Sequence, residues 1–267
     1  MAKKKVLFIT PEIYPYFPEG YISNICRYLP QGIQERENEI RTFMPKFGCV
    51  NEHRHMLHEV IRLSGQNIII EDTDHPLIIK VATLQQAHFQ VYFIYNEDYF
   101  ASNRIDELEM NCSPDDNDER SMFFVRAVIE SIRKMRWAPD IIQCTGWISA
   151  LAPVYIRTLY GDDPSFREAK IVTALFNEQM PGVLDARLSE KMHMDGIPKY
   201  VLKPIAGKQL GYDELMAYSL KYSDAVIQCE PEISAPVLEA ASSLPNLQFL
   251  GDDDLVKVKD FYTSLFD

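Results

Sequence analysis

The residues placed to do chemistry sit at the end of an apolar run. Asp140-Ile141-Ile142-Gln143-Cys144 leads into Thr145-Gly146-Trp147. Open α/β sheets carry their ligand sites at the carboxyl ends of strands, so Thr145, Gly146 and Trp147 are candidate ligand contacts. None of the three is an acid, a base or a cation. Cys144 has two readings, a nucleophile at a strand end or a buried structural thiol; no histidine lies near it in sequence to activate it. His53, His55 and His58 offer a metal cluster or a solvated helix. Their spacing departs from the i and i+4 pairs that a metal-binding helix presents, so the solvated helix is expected. The acidic run Asp115-Asp116-Asn117-Asp118-Glu119 reads as a solvated loop and helix start, with a metal site as the alternative.

Such residues need a scaffold, and the hydrophobic pattern supplies one. Strand-like runs occur at 5–10, 40–45, 67–70, 76–84, 89–95, 140–144, 169–175 and 224–229. Several are apolar on both alternating faces, the pattern of strands buried on both sides of a parallel sheet. The runs at 76–84 and 89–95, close together and β-rich, predict a hairpin or edge pair. Helical spacing covers 23–37, where Pro30 is expected to kink or end the helix. The clearest helix is 118–134, with Met122, Val125, Val128, Ile129 and Ile132 on one face. Further helices fall at 149–161, 212–223 and near the end of the chain. The β-α alternation predicts a single doubly wound domain with a mainly parallel sheet. The segment 177–211 lacks strong periodicity. It is expected to be a partly helical surface excursion and is a candidate lid or partner site.

Composition limits the function classes. The 267 residues carry a formal net charge of -12, which argues against nucleic acid and against anionic membrane surfaces. No stretch approaches the ~20 apolar residues of a membrane helix, and Val6–Ile9 is too short for a signal peptide core. Five scattered cysteines without a C-x-x-C pair suggest neither zinc nor a disulfide framework and fit a reducing cytoplasm.

The order of motifs carries a resemblance. "KVLFITPEIYPY", "IRTFMPKFG", "VYFIYNEDYF", "DDNDERSMFFVRAVIE", "WAPDIIQCTGWISALAPVYIR" and "LKYSDAVIQCEPEI" resemble, in register from about Val6 to about Ala240, the N-terminal domain of bacterial glycogen synthases and plant starch synthases. The resemblance implies the N-terminal half of a GT-B fold. It also implies transfer of glucose from ADP-glucose to an α-1,4-glucan by a two-domain enzyme. No cofactor and no metal are expected for this chain. The family's Lys-x-Gly-Gly-Leu loop corresponds to Pro18-Glu19-Gly20-Tyr21-Ile22. Its His-Asp-Trp corresponds to Thr145-Gly146-Trp147, and its His-Asn to Phe176-Asn177. The lysine and both histidines are therefore replaced. Glu19 adds a negative charge and Tyr21 adds bulk where the resemblance implies a sugar-nucleotide.

On this basis Glu19, Gly20, Tyr21, Thr145, Gly146, Trp147, Phe176 and Asn177 form the candidate crevice, with no residue assigned to catalysis. The chain stops at Asp267, so the expectation is one domain over 1–267 without the C-terminal nucleotide-sugar-binding domain. The expected function is a catalytically inactive remnant that binds a partner, a sugar or a nucleotide-sugar. Two alternatives stay open: a glucosyltransferase active only with a separate C-terminal-domain partner, and an unrelated small-molecule enzyme using the same crevice. Tyr14, Tyr16, Phe17 and Tyr21 suit either sugar stacking or a capped apolar crevice. With Trp147 and Phe176 on an uncovered face, a homodimer is the simplest expected association.

Overall fold

The computed structural model describes residues 3–84, 87–101, 116–178, 180–251 and 254–266. Eleven strands are described: β1 (Lys5–Ile9), β2 (Glu39–Pro45), β3 (His58–Glu59), β4 (Asn67–Ile70), β5 (Thr73–Pro76), β6 (Ile78–Leu84), β7 (Phe89–Tyr95), β8 (Ile141–Thr145), β9 (Lys170–Leu175), β10 (Ala225–Gln228) and β11 (Asn246–Gln248). The helices are α1 (Tyr21–Glu35), α2 (Glu97–Phe100), α3 (Asn117–Met135), α4 (Ala152–Leu159), α5 (Leu188–Met194), α6 (Lys199–Leu202), α7 (Tyr212–Leu220), α8 (Ala235–Ala241) and α9 (Leu255–Ser264). Nine strands form one sheet in the order β11-β10-β9-β8-β1-β2-β7-β6-β3, and β4 and β5 pair separately. From β11 to β7 every pairing is parallel; β6 and β3 extend the edge antiparallel.

Alternation along the central strands builds two cores. In β1, Leu7 and Ile9 join the layer with α3, α4 and α7, while Val6 and Phe8 join the layer with α1 and α9. Both faces of β8 and β9 are buried for the same reason, which explains their continuous apolar runs. The chain leaves β1 toward β2 on one side and returns to β8 on the other. The β1–β8 boundary is thus the topological switch point, and the crevice outside it is where such sheets bind ligands.

Four expectations are corrected. Helix α1 runs through Pro30, which is buried in it. Burial of Cys26, Leu29 and Ile33 against the sheet holds a helix that proline alone weakens by about 3 kcal/mol. Residues 52–56 form turns leading to β3, not a helix; His58 pairs with Val81 at the sheet edge. The acidic run is not solvated throughout. Asp115 lies outside the described residues, but Asp118 is fully buried and meets Lys191 Nζ at 2.8 Å, with Glu119 at 2.6 Å from the same ammonium. The segment 177–211 is not a surface excursion either. Leu184, Leu188, Met192, Ile197, Val201, Leu202, Ile205 and Leu210 are all buried in the α3–α4–α7 core. Its apolar residues follow two short helices and a loop, so no long periodicity announced them.

Candidate functional site

Three strand ends converge at the switch point: Thr10-Pro11-Glu12 after β1, Gly146-Trp147 after β8, and Phe176-Asn177-Glu178 after β9. Cys229-Glu230 after β10 adjoins them. Gly146 makes the turn with φ +76°, a conformation that a side chain resists. A β-carbon there would lie 3.1 Å from Glu178 Oε1 and 3.1 Å from Pro11 Cγ. The glycine therefore lets the Glu178 carboxyl approach the backbone. A 3-10 turn over Trp147–Ser149 follows, with Ser149 Oγ donating to the Thr145 carbonyl at 2.8 Å.

The backbone donors of this crevice are occupied by the chain's own carboxylates. Trp147 N–H donates to Glu178 Oε2 at 2.9 Å, and Asn177 N–H donates to Glu230 Oε2 at 2.7 Å. Glu12 accepts from the Ser23 N–H at the start of α1, the terminus where a helix favours an anion. Among the described residues no Lys or Arg forms an ion pair with Glu12, Glu178 or Glu230. The consequence is a raised pKa for Glu178 and Glu12. Burial pushes the Glu178 carboxyl up to about 8, against the Trp147 N–H bond and with help from the charges of Glu12 and Glu230. Burial raises Glu12 to about 7, partly offset by the Ser23 bond. Glu12 ionises first, and its charge then opposes the ionisation of Glu178.

The sequence-derived candidates fall into two groups. Thr145, Trp147 and Phe176 belong to the crevice wall but are buried to 1% exposure or less. Trp147 acts in packing, and the uncovered aromatic face expected for association does not exist as such. Tyr16 is buried too, and only Tyr21 is exposed. Trp147 is buried in the same α3–α4–α7 core as the 177–211 segment, whereas Tyr16 and Phe176 are buried in the α1–α9 layer. Tyr21 stands edge-on to Phe176, with centroids 6.3 Å apart, and its hydroxyl donates to the Cys229 carbonyl at 2.7 Å. It thus bridges the β10 end to α1. Gly20 N–H donates to Ser23 Oγ at 2.8 Å. Glu19 is exposed, and its side chain accepts a long contact from Asn24 Nδ2 at 3.5 Å. Asn177 contributes its backbone N–H. Thr145 Oγ1, Trp147 Nε1 and Glu178 Oε1 are buried without a hydrogen-bond partner among the described residues. Burial raises the Cys144 thiol well above its ordinary value, the state of an inert structural cysteine. Among the described residues no group of three metal-ligating side chains forms, and no helix is long and apolar enough to cross a membrane.

Sequence reasoning missed Glu12, Glu178 and Glu230. Each lies within three residues of the end of a buried parallel strand. That recurrence was the available signal.

The profile of the starch synthase catalytic domain matches residues 5–263. The chain belongs to the starch synthase catalytic domain family. Glycogen synthase of Chlorobaculum parvum is 30% identical over 265 residues, covering 97% of this chain and 52% of that protein. Glycogen synthase of Chlorobium phaeobacteroides is 32% identical over 196 residues, covering 72% of this chain and 40% of its own length. The chain thus spans about half the length of the glycogen synthases it matches. Among solved structures, the catalytic domain of starch synthase IV from Arabidopsis thaliana, bound to ADP and acarbose, superposes with a TM-score of 0.75. The identity is 18%, over 95% of this chain and 52% of that one, so this likeness shows the fold. The observed sheet is that of a GT-B half, as the motifs implied.

Proposed function

We propose that this glycogen synthase-family domain does not transfer glucose from a nucleotide-sugar and acts by binding. One observation carries the reading. The crevice presents backbone N–H groups at Trp147 and Asn177, which the carboxyls of Glu178 and Glu230 already hold, and Glu12 lies beside the start of α1. A pyrophosphate would have to displace these carboxyl groups from the donors, and each adds negative charge to the crevice when it ionises. Pro18, Thr145 and Phe176 bring no cation to the places where the family motifs carry Lys and His. Loss of one charge-stabilising donor alone lowers a rate roughly 10²- to 10³-fold.

The likeness to a starch synthase bound to ADP and acarbose makes sugars and nucleotides the first ligands to compare in this crevice. The buried, unpartnered Thr145 Oγ1 and Glu178 Oε1 favour the uncharged, hydroxyl-bearing ones. A protein partner would meet Tyr21, the exposed aromatic of the crevice rim. The free thiols of Cys26, Cys49, Cys144 and Cys229 support a reducing, cytoplasmic location.

The test is incorporation of radiolabelled glucose from ADP-glucose or UDP-glucose into glycogen, using chain purified from a host without its own synthase. Incorporation equal to the blank is expected. Incorporation by the chain alone overturns the reading. Incorporation only after adding a separately expressed C-terminal domain of a relative replaces it with the partner-dependent glucosyltransferase.

A further inference from the structure

A second cavity lies on the α1 side of the sheet, of about 460 Å3, between the loop after β1, helix α1, the turn before β3 and the end of β6. Its volume is in the range of small-molecule sites. Tyr14, Tyr16, Arg27, Arg54, His55 and Leu84 line it; Glu12, Glu178 and Glu230 do not. We propose that this cavity binds a phosphomonoester carried on a sugar or nucleoside ring.

The charge around it is the reverse of the crevice. Arg54 is exposed and makes no ion pair among the described residues. The Arg27 side chain is buried, with its guanidinium 5.4 Å from the Tyr14 ring centroid and 5.3 Å from that of Tyr28. The two rings hold the guanidinium, and its positive charge, at the cavity wall. Outside the lining, Lys46 and Lys80 share the single carboxylate of Glu52, at 3.1 and 2.6 Å. Lys80 points to the same sheet face as Leu84, four residues on in β6. Two lysines on one carboxylate leave a positive excess, in a chain whose net charge is -12.

The rest of the lining selects the carrier. Tyr16 is nearly buried and packs edge-on against His55 and Phe93, each with ring centroids at 5.0 Å. With Leu84 it makes an apolar floor. A bare, fully hydrated phosphate has no use for that floor or for the rings of Tyr14 and His55. A phosphate attached to a ring uses both. Burial and the neighbouring Arg54 lower the pKa of His55, so its ring presents mainly as a neutral stacking surface.

The test is isothermal titration of the whole chain with glucose 6-phosphate, glucose 1-phosphate, adenosine monophosphate, inorganic phosphate and glucose. One or more of the ring phosphomonoesters is expected to bind, more tightly than inorganic phosphate and far more tightly than glucose. The hexose phosphates and the nucleotide distinguish the two sources of the same chemistry. Arg54→Ala, at an exposed position that leaves the fold intact, is expected to weaken binding roughly 10- to 100-fold, the effect of one charge-assisted hydrogen bond. Arg54→Lys should recover part of it. Four results overturn the proposal: no ring phosphomonoester binding at millimolar concentration, glucose binding as tightly as its phosphates, inorganic phosphate binding as tightly as the ring compounds, or unchanged affinity in Arg54→Ala. Glucose transfer plays no part in this readout, so its outcome is separate from that of the proposed function.

Discussion

Replacing Glu178 by Gln isolates the electrostatic strain in the crevice. Glutamine keeps an oxygen to accept the Trp147 N–H and removes the ability to ionise. In the native chain, burial lifts the carboxyl from its ordinary 4.5 to about 8. At about 1.4 kcal/mol per tenfold change in acidity, full ionisation costs the folded state roughly 5 kcal/mol relative to the protonated form. The sign follows from the raised value. The folded chain holds the proton more tightly than the unfolded one, so the stabilising contribution is complete below 4.5. It is lost as the pH climbs from there through about 8. At about pH 7 some two thirds of the loss, roughly 3 kcal/mol, has accrued. Glu12 titrates in both chains and largely cancels in the difference.

The measurement is urea unfolding of the native chain and Glu178→Gln, in steps between about pH 5 and pH 9. The variant should gain on the native chain by several kcal/mol across that interval. A stability difference that stays flat with pH would refute the assignment of Glu178 as a buried, unpaired acid. A difference that grows toward acid pH would mean that the carboxylate has a cationic partner.

Three further outcomes follow from the packing. Lys191→Met leaves Asp118 charged and buried at 0% exposure; it should lower unfolding stability by roughly 3–5 kcal/mol, while Lys191→Met with Asp118→Asn and Glu119→Gln should recover most of it in the same urea titrations. Burial alone would lower the Lys191 pKa, and its bonds to Asp118 and Glu119 more than reverse that, so a small effect of Lys191→Met would show the ion pairs to be dispensable. Gly146→Ala forces a side chain onto a φ of +76° with Glu178 and Pro11 at 3.1 Å; a loss of about 1–3 kcal/mol is expected by thermal unfolding, and an unchanged Tm would refute the close approach. With Trp147 and Phe176 buried by the chain itself, light scattering at micromolar concentration should give a monomer for both the native chain and Tyr21→Glu. A dimer that Tyr21→Glu dissolves would restore association through the crevice rim.

The sequence by itself determined the sheet. Runs such as Ile141–Cys144 and Ile171–Leu175 are apolar on both faces, and only a strand covered by helices on both sides buries them. The strand pair at 78–95 and the helix at 117–135 were legible for the same reason: period and β-branched content are local properties. The ordered motifs from Val6 to Ala240 fixed the family, because six matches in register do not depend on any one contact. Burial of the 177–211 segment was not legible, since Leu184, Met192, Ile197 and Ile205 share no helical face and meet only on the folded core. The character of the crevice was not legible either. Thr145 and Phe176 read as missing cations, but what stands in their place is Glu178, brought to Trp147 from 31 residues away, beside Glu12 from the other end of the switch point. A carboxylate's solvation, and so its charge, depends on what the fold packs around it, and no spacing along the chain encodes that.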